Sequence, residues 1–65
     1  MNETLVNFRN SKKMTQPQFA RYIGVSVSFL SKIELGNRQP SLNFMKKLKA
    51  AFEDANIDEL FFTNK

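Results

Sequence analysis

Apolar residues recur along this chain at helical spacings, and the polar stretches between them begin with residues that start helices. Leu5 and Phe8, three apart, predict a first helix over about Asn2 to Lys12. Thr15 is a good N-cap and Pro17 falls in the first turn, where a missing N–H costs little. Phe19, Ala20 and Ile23 then supply the apolar face of a second helix. Gly24 ends it, since glycine accepts the positive φ of a helix C-terminus. Ser26 caps a third helix in which Leu30 and Ile33 continue the core stripe, and Gly36 closes that helix in the same way. Asn37-Arg38-Gln39-Pro40 reads as a turn. Ser41 starts a fourth helix burying Leu42, Met45, Leu48 and Phe52, with Phe44 or Ala51 at its margins. A short fifth helix over about Ile57 to Phe62 sets Ile57, Leu60 and Phe61 against the rest. The alternating run Val25-Ser26-Val27-Ser28 lies between two helical patterns and contains a cap, so no strand is expected.

This pattern predicts an all-α fold, a compact five-helix domain with short joints. Only Gly24 and Val25 separate the second helix from the Ser26 cap, and so tight a joint makes the helices cross steeply: a helix-turn-helix over residues 16–35. With 65 residues the chain has room for one domain, 1–65. A domain of that size buries only about 60% of the surface its unfolded chain exposes.

Chemistry is limited by what the composition lacks. There is no cysteine and no histidine, so disulfides, thiolate chemistry and the commonest near-neutral base and metal ligand are missing. The six acidic residues show no metal-loop spacing, and two glycines do not make a phosphate loop. Neither an enzyme, a metal site, a cofactor nor a small-molecule ligand is expected. No run approaches the ~20 apolar residues of a membrane span, and the opening Met-Asn-Glu-Thr carries no signal-like stretch, which reads as a cytoplasmic protein. Charge is segregated: residues 9–49 hold nine basic side chains against the single acid Glu34, a local charge of +8, while both ends are acidic. A basic block of this kind fits a polyanion binder, and it also occurs in domains that are basic only for solubility.

The segment Thr15-Gln16-Pro17-Gln18-Phe19-Ala20-Arg21-Tyr22-Ile23-Gly24-Val25-Ser26-Val27-Ser28-Phe29-Leu30-Ser31-Lys32-Ile33-Glu34-Leu35-Gly36 resembles the Cro/CI-type repressors, also called the xenobiotic-response-element family. Several distinct demands coincide there: small Ala20 at the helix crossing, Gly24 at the turn, apolar Phe19, Ile23, Val25, Leu30 and Ile33 in the core, then Glu34 and Gly36. The likeness extends more loosely from Leu5 to Phe61. Two departures stand out. Lys13 occupies a position where the family often has glycine, which predicts strain at the end of helix one. Glu53-Asp54-Ala55-Asn56 replaces a shorter, glycine-containing link, leaving the geometry of helix five open.

The resemblance implies a repressor-like DNA-binding fold with helix three in the major groove. Ser26, Val27, Ser28 and Lys32 would face base edges there. Lys32 suits guanine O6 and N7, Val27 a thymine methyl, and the serines several bases. Gln16, with free N–H groups at the start of helix two, and Asn37 and Arg38, after helix three, would hold phosphates, with Arg9 near another. Arg9 and Glu34 would also form an internal ion pair. Plainer roles stand beside these: Ser26 is a cap with or without DNA, Val27 a partly exposed valine, and Lys32 and Arg38 solvated charges. Phe29 packs inward, covers sugar-phosphate, or is a surface aromatic, and packing is the expectation. The family implies a homodimer repressing transcription at a pseudo-palindromic double-stranded operator. Adjacent Phe61 and Phe62 point about 100° apart, so one is left exposed beside Ile57 unless both rings fold back over the core, and Ile57, Phe61 and Phe62 are the expected dimer patch. The alternative is a protein-interaction module of the same fold, such as an antitoxin or antirepressor subunit.

Overall fold

The computed structural model describes residues 2–62. Its elements are α1 (Glu3–Ser11), α2 (Gln16–Ile23), α3 (Val27–Leu35), α4 (Leu42–Ala51) and a terminal π-helical segment, Asp58–Phe62. No strand occurs among the described residues, and no helix there is long and apolar enough to cross a membrane.

Each α-helix begins on a side-chain cap that satisfies an otherwise orphaned N–H. Asn2 accepts from the Leu5 N–H, Ser26 from Phe29 and Ser41 from Phe44. Thr15 and Gln18 form a reciprocal capping box on α2. Gly24 and Gly36 end α2 and α3 at φ of +87° and +84°. After Gly36 the Asn37 N–H donates to the Lys32 carbonyl, closing α3 in a Schellman turn.

The core joins Leu5 of α1, Phe19, Ala20 and Ile23 of α2, Leu30 and Ile33 of α3, and Phe44 and Leu48 of α4, with Phe52, Ala55 and Leu60 sealing its lower end. Aromatic rings fill much of it. Phe19 stacks on Phe52 at 5.4 Å, and Phe8 meets both edge-on at 6.3 and 5.5 Å. Packing of α2 on both α3 and α4 fixes the helix-turn-helix pair, while α1 closes over α3 and the terminal segment.

One expectation is corrected. Leu42 is not in the core: it is 68% exposed, and Phe44 takes the central place at 1%. At about 100° per residue Leu42 lies about 120° from Leu48 around the helix, whereas Phe44 and Phe52 lie within about 40° of it. The inward stripe is therefore Phe44, Leu48 and Phe52. The fifth helix lies where the sequence places it, and its turn is wound as a wider π-helix, bonded i→i+5. Leu60 is buried, and Ile57 and Phe61 pack half-buried against the core. The glycine-free link before it is stapled by Lys49, whose ammonium donates to the Glu53 and Ala55 carbonyls at 2.6 and 2.9 Å. Asn56 then accepts from the Glu59 N–H to start the segment.

Candidate nucleic-acid interface

The joint between α2 and α3 follows from two local facts. Gly24 and Val25 both donate N–H groups to the Ala20 carbonyl at 2.9 Å, ending α2, and Ser26 turns the chain into α3. Ala20, fully buried, lets the two helices approach. From α4, Lys47 donates to the Gly24 carbonyl at 3.1 Å and braces the turn from outside, a contact that no spacing in the sequence announces.

On α3, Leu30, Ile33 and Glu34 face inward, while Val27, Ser28 and Lys32 are exposed. Ser28 and Lys32, four apart, share one face of the helix. Ser26 is exposed too, but its Oγ already accepts from the Phe29 N–H at 3.1 Å, leaving its O–H to donate. An open groove runs between α2 and this end of α3, lined by Pro17, Gln18, Arg21, Val25, Ser26 and Val27. Arg21 at its margin is an exposed cation that the sequence reading did not single out; its place on the turn-facing side of α2 was the available signal.

A polar cluster ties α1, α2 and α3 together around the buried Glu34. The Arg9 Nε donates to Glu34 Oε2 at 2.8 Å, a second guanidinium nitrogen to Oε1 at 3.2 Å, and a third to the Met14 carbonyl at 3.0 Å. The Gln16 amide donates to the same Oε1 at 2.8 Å. Glu34 is 2% exposed, so its charge is tolerated only because donors from α1 and α2 surround it. Arg9 and Gln16, both given phosphate roles in the sequence reading, thus have these donors turned inward. The expected set of free N–H groups at the start of α2 is also smaller than supposed. Pro17 has none and Gln18 donates to Thr15 Oγ1, which leaves the Gln16 backbone N–H in that first turn.

Asn37 and Arg38 are exposed in the loop after α3. The Arg38 guanidinium carbon sits over the Phe29 ring, 5.0 Å from its centroid. Phe29 is half-buried and packs edge-on against Phe44 at 5.8 Å. At the C-terminal cap of α1, Lys12 pairs with Asp54 at 2.6 Å and lies over the Phe8 and Phe52 rings. Two of the nine central basic side chains are therefore engaged by carboxylates, while Lys13, Arg21, Lys32 and Arg38 stay exposed. Of the expected dimer patch, Phe62 is exposed, whereas Phe61 lies edge-on to Phe44 at 6.0 Å and Ile57 is half-buried.

The profile of the helix-turn-helix family matches residues 5–60, from Leu5 of α1 to Leu60 of the terminal segment. A protein of Bacillus subtilis (strain 168) named uncharacterized HTH-type transcriptional regulator YazB is 56% identical over 34 residues, 52% of this chain and 49% of that protein. The chain thus spans about half the length of the curated relative it matches. No solved structure matches it. The profile covers both arms of the Gly24 joint, all of α2, α3 and α4 and most of α1, and the chain belongs to the Cro/CI-type helix-turn-helix family.

Proposed function

We propose that this chain binds double-stranded DNA sequence-specifically and regulates transcription, as a repressor, by laying the start of α3 in the major groove. The observation that carries this reading is the outward face of α3: Ser28 and Lys32 stand together on it, beside exposed Ser26 and Val27, on a helix held by the Gly24 joint. The Bacillus relative, named as a transcriptional regulator, supports the same reading. Residues 1–65 act as one binding unit in the cytoplasm, without catalysis. Val27, Ser26, Ser28 and Lys32 read base edges, while Arg38, Asn37 and the Gln16 backbone N–H contact phosphates. Arg9 serves chiefly as the partner of Glu34. With no arginine or glutamine among the readers, direct readout is modest, and DNA shape carries more of the specificity.

The experiment compares Lys32→Ala and Arg38→Ala on a site selected from a random duplex library and on random duplex. Lys32→Ala loses about 1–3 kcal/mol of discrimination between the two. Arg38→Ala weakens both alike and lowers the magnitude of the salt slope by about 1. Equal proportional losses in the two variants remove Lys32 from the readers. A protein-interaction module is the competing reading, favoured by exposed Leu35, Leu42 and Phe62; wild type with no affinity for duplex at low salt decides for it.

A further inference from the structure

Arg38 lies in the loop after α3, and among the described residues no carboxylate pairs with it. It differs in this from Arg9 and Lys12, which are paired with carboxylates. What orients it is a ring: its guanidinium carbon lies 5.0 Å from the centroid of Phe29. A contact of this kind places the cation over the ring and spends none of the guanidinium's five N–H donors on a carboxylate. A carboxylate partner would consume those donors; an aromatic partner does not. Phe29 in turn cannot swing freely, because its ring abuts Phe44 at 5.8 Å, and Phe44 is fully buried and meets Phe61 at 6.0 Å. The Phe29 N–H is also the one that Ser26 caps. Phe29 therefore links two places at once, the start of α3 with its exposed Val27 and Ser28, and the loop that carries Arg38.

We propose that Phe29 is a positioning residue for Arg38, holding the guanidinium over its ring so that its N–H donors meet a backbone phosphate of the duplex in fixed register with the α3 readers. This rests on the DNA-binding reading above. An exposed arginine loses side-chain freedom when it grips a phosphate, and one already stacked has less to lose. The ring thus adds affinity without adding a contact to the DNA.

Phe29→Leu keeps apolar bulk but removes the ring. It is expected to weaken binding about three- to tenfold on selected and random duplex alike, from the ordering of one long side chain. The salt slope stays at the wild-type value, because the charge remains; Arg38→Ala, by contrast, reduces it. In an Arg38→Ala background Phe29→Leu has no further effect, which a purely structural role for Phe29 would not produce. Phe29→Tyr retains the ring and the affinity. Equal losses from Phe29→Leu with and without Arg38, or no loss at all, overturn the proposal. Should Phe29→Leu fail to fold, Phe29→Tyr and proton chemical shifts of free wild type decide. Ring-current displacement of the Arg38 side-chain protons is required, and its absence overturns the stacking. If the displacement is present but wild type binds no duplex, the DNA-binding reading fails, and the purpose assigned to the stacking falls with it.

Discussion

Lys13 ends α1 at φ of +59°, the left-handed region where an L side chain crowds its own backbone. Its place in the sequence, where the family resemblance implied a glycine, already pointed to strain. Replacing a left-handed residue by glycine relieves roughly 1–2 kcal/mol of backbone repulsion, offset by glycine's greater freedom in the unfolded chain. Lys13→Gly is therefore expected to stabilise the protein by about 0.5–1 kcal/mol, seen as a rise of several degrees in Tm. Lys13→Ala keeps the φ and is the control; an equal gain there assigns the effect to the lost charge. Asp54 is the other residue with a measurable signature. The hydrogen bond from the Lys12 ammonium holds its carboxyl below the ordinary 3.8, with Lys12 and Lys49 charges adding to the effect. A folded pKa below the unfolded one stabilises fully above the unfolded value and fades as pH falls through the folded one. Asp54→Asn should thus lose Tm relative to wild type at neutral pH, and the gap should close below about pH 4. The gap also narrows in high salt, since the pair is exposed. A gap that persists unchanged at pH 2 rules out the ion pair as its source.

Caps and glycines made the four α-helices legible, because each is a local demand that a single residue type meets: Thr15, Ser26 and Ser41 at the starts, Gly24 and Gly36 at the ends. What was not legible depends on distant partners. Helical spacing sets Phe44, not Leu42, on the face of Leu48, and the rings of Phe29 and Phe61 packed against Phe44 hold it there. The Asn2 side chain links α1 to the Leu60 carbonyl at 3.2 Å, and its own N–H reaches the Glu34 carbonyl at 2.8 Å. Contacts spanning half the chain leave no periodic trace. The same holds for Gln16, whose helix-start position suggested a phosphate but whose amide is fixed to Glu34. At the scale of the α2–α3 pair, the decisive residue is Ala20, which is fully buried where its helix packs on α3. Ala20→Leu should cost roughly 1–3 kcal/mol by overpacking. That is a large share of the few kcal/mol available to a domain this small. Thermal or urea denaturation reads it directly, and an unchanged midpoint would mean that α2 and α3 do not meet through Ala20.

For the whole molecule the open matter is how two copies would sit on one duplex. The expectation from the sequence placed the contact on Ile57, Phe61 and Phe62. Burial divides that patch: Phe61 is edge-on to Phe44 and Ile57 is half-buried, so of these three Phe62 is the exposed one, at 58%. Phe61→Ala is accordingly expected to lower Tm, by opening a gap beside Phe44, more than it changes association. Phe62→Ala should do the reverse. A contact centred on one phenylalanine buries about 150–250 Å² from that side chain. A stable interface needs on the order of 1,200 Å² or more in total, so dimerisation in free solution should be weak. On the proposed reading, a duplex carrying two half-sites ~34 Å apart is expected to strengthen it by holding two copies together. Acidic Asp58 and Glu59 on the same segment favour a place for it away from the phosphates. Sedimentation equilibrium of wild type, Phe61→Ala and Phe62→Ala at several concentrations, alone and with a duplex carrying two half-sites, reads both properties. Wild type should associate weakly alone and bind the duplex as two cooperating copies, and Phe62→Ala should abolish the first and weaken the second. A wild type that loads the two half-sites independently, or a Phe62→Ala variant that associates as wild type does, moves the interface away from the terminal segment.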